Sequence, residues 1–247
     1  MMSAITPAVL EDLAPQGVLR AAINFGNPVL AQQGQDGSPQ GVSVALAKAL
    51  AQELGVRLEM VTFDAAGKVF AALEEGAWSL AFLAIEPVRE QQIAFSAPYV
   101  IIEGTYLVAA DSPFVAVEDL DQPGLRLAVG KGAAYDLFLA RTLKHAQLAR
   151  AETSAAAVDL FFDEDLDAAA GVRQPLQKVA DADPRYRVLE GAFTAIRQAM
   201  AVPRYREAGA AYVRAFVERK KAEGFVHAAL KASGQADVTV APQAAIF

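Results

Sequence analysis

The chain has 247 residues, 54% hydrophobic and 21% charged, the proportions of an ordinary globular protein with room for one large core or two moderate ones. Its formal net charge of -7 argues against gripping nucleic acid or an anionic membrane, and no apolar run reaches the roughly 18 residues of a membrane-spanning helix. Cysteine is absent, which excludes disulfides, thiolate nucleophiles and cysteine metal sites.

The first residues, MMSAITPAVLEDLAPQG, show no basic segment followed by an apolar core, so no secretory signal is legible in them. Residues 18–23 read as a first strand, and 24–41 as a loop rich in Gly, Asn, Gln and Pro. Alanine and leucine spacing predicts a helix over 42–54, ended by Gly55. A half-buried strand over 56–63 and a short helix over 66–75, closed by Gly76, follow.

Residues 78–108 organise the rest. The run 80–85 is continuously apolar, with the length of a buried parallel strand, and it stops at Glu86-Pro87. Pro87 suits a first helical position, which puts Arg89 in the first turn. A cation is disfavoured there by the helix dipole, so the arginine calls for an anionic partner, either a protein carboxylate or a ligand. A Ser-Ala-Pro-Tyr corner at 96–99 then leads into a long second strand.

A linker with one helical turn covers 109–123, and residues 125–129 start a new strand. Gly130-Lys131-Gly132 turns it into a helix from Ala133 to about Ala146; Gly-x-Gly could cradle an anion but lacks phosphate-loop spacing. Further elements are a strand over 148–151, a helix capped by Ser154 and running to 162, a strand over 166–170, a helix over 172–180 and an extended piece over 186–189. A return segment over 191–202 leads to Pro203, expected to start a long helix. On it Tyr205, Ala208, Tyr212 and Phe216 share one face, while Arg204, Arg206, Glu207 and residues 218–221 face water. A last helix over 225–232 and a polar tail from Gly234 complete the chain. The two histidines, His145 and His227, fall in separate predicted helices and read as surface or packing residues. Two strand-helix series with one closing helix imply an α/β fold of two lobes, each a mainly parallel sheet flanked by helices, with ligand bound outside the carboxyl ends of the strands.

These residues, in order and spacing, resemble the extracellular solute-binding proteins of ABC importers, family 3, the type II periplasmic binding proteins of polar amino acids. The resemblance rests on Gly17-Val18-Leu19-Arg20, Gly41, Leu54-Gly55 and Ala72-Leu73-Glu74-Glu75-Gly76. It continues through Arg89 placed six residues before Phe95-Ser96, then Pro98-Tyr99, residues 125–132 and Leu166-Asp167-Ala168, spanning about 17–233. It implies a clamp whose first lobe is residues 1–108 and 190–247 and whose second is 109–189, with two hinge crossovers and a ligand in the cleft. It also implies a monomer in the periplasm with a membrane permease as partner, although the missing signal leaves a cytoplasmic location open.

The resemblance makes Arg89 the group that would hold a ligand carboxylate, with Ala84 and Glu86 at two usually Ser or Thr positions before it, and Asn24 and Phe25 lining the cleft. In the second lobe Gly132, Ala133 and Ala134 would offer amides, Ala133 standing where a threonine is usual. Ser79 replaces a usual aspartate, and Val172, with Arg173 beside it, stands where an aspartate would pair with a ligand ammonium. A buried ammonium without an anion is costly, so the expected ligand is a small organic acid; an amino acid returns if Glu86, Glu103 or Asp163 supplies the charge. Glu86 has a second reading, as the salt-bridge partner of Arg89. A few relatives of the fold are dehydratases of cyclic acids, which would cast Glu86 or Glu103 as a general acid. No catalytic set, metal cluster or cofactor motif is otherwise legible, and the acidic run at 163–167 reads as a solvated loop.

Overall fold

The computed structural model of the chain describes residues 4–244, so the ends of the two expected first-lobe segments, 1–3 and 245–247, lie outside the described residues. In order the elements are α1 (Pro7–Leu13), β1 (Val18–Asn24), β2 (Gln32–Gln33), β3 (Pro39–Gln40), α2 (Val42–Leu54), β4 (Arg57–Phe63), α3 (Ala66–Ala71), β5 (Ala81–Ala84), α4 (Pro87–Glu90) and β6 (Ile93–Ala109). Then come β7 (Arg126–Gly130), α5 (Ala134–Thr142), β8 (Gln147–Ala151), α6 (Ser154–Asp163), β9 (Ala168–Val172), α7 (Arg173–Ala182), β10 (Tyr186–Val188), β11 (Thr194–Pro203), α8 (Glu207–Ala222), α9 (Phe225–Ala232) and β12 (Thr239–Val240).

The chain forms two compact units. Unit 1 comprises Met1–Phe63, Lys68–Ile101 and Arg197–Phe247, and unit 2 comprises Asp64–Gly67 and Ile102–Ile196. The chain therefore passes from one to the other within β6 and returns within β11, whereas the sequence placed the crossovers near 108 and 189.

In unit 1, β1 pairs in parallel with β4, and a parallel bridge joins Ala21 to Leu80 just before β5. β5 pairs antiparallel with β11. Ala, Leu and Val on α2 bury Val42, Leu46, Ala47, Leu50 and Leu54, and Gly55 caps the helix in the left-handed conformation at φ 68 that glycine adopts without strain. In unit 2, β7 lies between β8 and β9, parallel to both, and β6 pairs antiparallel with β9 and β10. Its core gathers Leu107, Ala128, Ala157, Phe161, Leu166, Ala169 and Leu176. Both units are thus α/β, with mixed sheets where mainly parallel ones were expected, because β6 and β11 pair antiparallel with their neighbours.

Several local expectations need correction. The long closing helix begins at Glu207, not at Pro203, which ends β11; Tyr205 consequently precedes the helix and is 75% exposed. Lys221, expected in water, is buried and donates to the carbonyls of Pro98 and Pro242, each at 3.0 Å. α5 stops at Thr142, so His145 is outside it, and Asp121 accepts the N–H groups of Lys144, His145 and Ala146. Thr153, not Ser154, caps α6, its Oγ1 accepting from Ala156 at 3.0 Å. The tail also contributes a strand, β12, paired with β6.

Candidate functional site

In unit 1 the site residues collect where strands end. The Ala21–Leu80 bridge makes β1 and the β5 segment run the same way, so Asn24-Phe25 and Ala84-Ile85-Glu86 leave the strands at one edge. Asn24 is buried and its Oδ1 accepts the Gly26 N–H at 2.8 Å, while the half-buried Phe25 donates its N–H to Phe63. The Ile85 N–H still bonds the Arg197 carbonyl at 2.9 Å, so the chain departs only at Glu86.

Glu86 is extended, at φ -138 and ψ 139, and is the N-cap of α4; its carbonyl accepts from Arg89 N–H at 2.9 Å and Glu90 N–H at 3.1 Å. This tight turn carries the Arg89 side chain back to the strand end, where its Nη1 donates to the Ala84 carbonyl at 3.0 Å. Arg89 is 1% exposed and Glu86 8% exposed. Burial pulls the Arg89 pKa down to about 10, and the Glu86 charge opposes that drop. A guanidinium has thus been taken out of water at a strand end, at a cost in desolvation.

In unit 2 the loop after β7 is held by the helix that follows. Gly132 sits at φ +73, and a Cβ there would lie 2.8 Å from the Cα of Gly67, so only glycine fits. The Gly132 N–H donates to Asp136 Oδ2 at 2.8 Å, and Asp136, 3% exposed, is paired in turn with Arg150 at 2.9 Å. The Lys131 and Ala133 N–H groups bond the carbonyls of Ala151 and Gly130. Tyr135 accepts from the Gly130 N–H and shares a 2.8 Å hydrogen bond with Ser154, while burial raises its phenol pKa. Ala133 is the N-cap of α5 with no side-chain cap, and Ala134 is its first residue. Arg173, first residue of α7, pairs with Glu103 and donates to the carbonyls of Leu189 and Gly191, which commits both charges inside the unit.

The chain matches the model of the bacterial extracellular solute-binding proteins, family 3, over residues 19–235. It belongs to that family. Among solved structures it is similar to a cysteine-binding protein from Campylobacter jejuni, at 21% identity and TM-score 0.80, over 94% of this chain and 99% of that one. It is also similar to an amino acid ABC transporter substrate-binding protein from Streptococcus pneumoniae solved with L-arginine, at 22% identity and TM-score 0.78, over 96% and 100%. A cyclohexadienyl dehydratase from Pseudomonas aeruginosa is 28% identical over 148 residues, 56% of this chain and 53% of that protein, so the match spans about half the length of that curated relative.

Within this family member, then, Ala84, Glu86 and Arg89 share one turn in unit 1, and Gly132, Ala133 and Ala134 share another in unit 2. Asp136 is the residue that sequence reasoning missed. Its signal was an acid three residues past a helix start, obscured because the N-cap is an alanine and no capping pair can be recognised. Ser79, in place of a usual aspartate, donates to the Leu13 carbonyl at 2.6 Å. Among the described residues no cluster of three or more His, Cys, Asp or Glu could hold a metal ion, and no helix is long and apolar enough to cross a membrane.

Proposed function

We propose that this family member captures a small carboxylate-bearing solute through Arg89 and serves as the binding component of an ABC transporter. One observation carries the reading: a guanidinium, 1% exposed, lies in the first turn of α4 at the end of β5, where burial drags its pKa to about 10. A cation kept at that cost is well matched to a ligand carboxylate, which takes two parallel N–H···O bonds from arginine. Val172, where an ammonium-pairing acid would stand, is aliphatic, and Arg173 is neutralised by Glu103, so an organic acid lacking an ammonium suits the unit 2 residues best.

An amino acid is the second reading, favoured by the burial of Glu86 within the same turn as Arg89. The family and the similar structures make binding the first expectation over turnover, and the dehydratase relative makes product analysis worthwhile. The test is a thermal-shift screen with small mono- and dicarboxylates, amino acids and amines, followed by titration calorimetry and product analysis of each hit. At a hundredfold excess over Kd a true ligand adds about 2.7 kcal/mol of stability. Acids are expected to head the list, unconsumed, with the response lost in Arg89→Met. Hits that survive Arg89→Met would refute the role given to Arg89, and amines heading the list would refute the choice of ligand.

A further inference from the structure

Unit 1 carries a concavity of about 630 Å³ whose lining includes Ile85, Glu90, Arg197, Arg204, Glu207 and Arg214. The three arginines arrive from β11, from the turn after it and from the middle of α8, and all are exposed. Elsewhere five arginines are settled on carboxylates, in Arg126–Glu164, Arg150–Asp136, Arg173–Glu103, Arg185–Asp183 and Arg219–Glu53, while Arg20, Arg187 and Arg206 donate to backbone carbonyls rather than gathering in one hollow. Among the described residues Arg197, Arg204 and Arg214 take part in no such pair, although Glu90 and Glu207 edge the same space. Arg204 donates to the Glu90 carbonyl and Arg214 to the Phe95 carbonyl at 3.3 Å, contacts that orient the guanidinium groups without neutralising them.

We infer that this concavity is a second binding site, separate from the Arg89 turn, and that it takes a small multivalent oxyanion. Its volume is that of a metabolite site. Three planar donors on separate elements suit an anion whose oxygens are spread out, as in a polycarboxylate or a phosphorylated compound, better than a single point charge. On a chain of net charge -7, un-neutralised guanidinium groups around one hollow concentrate positive potential at that place. The two glutamates leave the hollow an excess of one positive charge.

The experiment is titration calorimetry with pyrophosphate and, separately, with citrate, on the native chain, on Arg197→Gln/Arg214→Gln and on Arg89→Met. Arg204 is left intact because its side chain also donates to the Glu90 carbonyl at the end of α4. The expected result is saturable one-to-one binding of at least one probe, retained in Arg89→Met and weakened about tenfold or more in the double variant. Pyrophosphate alone would assign the phosphorylated class, and citrate alone the polycarboxylates. No saturable binding of either probe, or binding lost in Arg89→Met but kept in the double variant, would overturn the site; the second result would place the anion at Arg89 and leave the solute reading standing. Should the double variant melt below the native chain, Arg214→Gln alone repeats the comparison.

Discussion

Arg89 in unit 1 and Asp136 in unit 2 are both buried charges on the helix that follows a strand, and they are held in different ways. Asp136 has the sign the helix dipole favours, receives the Gly132 N–H and is paired with Arg150. Arg89 donates to the Ala84 carbonyl, and burial lowers its pKa to about 10. The difference teaches which charge serves the fold and which is carried at the fold's expense. Asp136 ties a loop to the helix behind it, so its removal should be felt in stability. Arg89 is desolvated where a strand ends, so its removal should be felt in binding.

Asp136→Ala is the strongest way to break this contrast. It removes the Asp136 acceptor from the half-buried Gly132 N–H and strips Arg150 of its counter-charge, which together should cost about 1–3 kcal/mol. Urea unfolding followed by circular dichroism measures it. A loss below about 0.5 kcal/mol would show that the loop does not depend on the acid and would dissolve the distinction between the two charges.

Gly132→Ala sharpens the same point at lower cost. The new Cβ would meet the Gly67 Cα at 2.8 Å, and the residue would have to hold φ +73, so a destabilisation of about 1–2 kcal/mol is expected. Because both partners are backbone, no side chain can swing aside to relieve the contact. A variant as stable as the parent would mean that this loop is more compliant than its hydrogen bonds suggest.

How far the sequence disclosed these features depended on how local their causes are. α2 was legible to the residue, since its alanines and leucines and the Gly55 cap all lie within the segment. The turn bearing Arg89 was legible because Glu86-Pro87 stops an apolar strand and starts a helix within a few residues. The end of α5 was not, because Asp121 gathers the N–H groups after Thr142 from more than twenty residues away. Nor was the fate of Arg173, whose partners Glu103, Leu189 and Gly191 are remote in sequence and converge only once the strands have paired. Lys221 was misplaced for the same reason: two distant carbonyls outbid water for its ammonium group.

Arg89→Met is the smallest expected effect on stability and the most telling one. Methionine fills the space of the arginine stem without a charge to desolvate, so the lost interactions, the hydrogen bond to Ala84 and the attraction of Glu86 among them, are offset by the relieved burial cost, leaving stability near pH 7 within about 1 kcal/mol of the native chain. The sign with pH follows from the lowered pKa. Between the folded value of about 10 and the higher ordinary value of an exposed guanidinium, the unfolded chain binds the proton more tightly, so this group's contribution to native stability improves as pH rises above 10. Unfolding midpoints of the native chain and Arg89→Met, measured side by side from pH 7 to 11, cancel the titration of the lysines and tyrosines common to both. The native chain should gain on the variant above pH 10. A gap that stays constant, or a variant already crippled at pH 7, would make Arg89 a structural cation like the other paired arginines and would return the choice of ligand-holding residue to the rest of the strand edge.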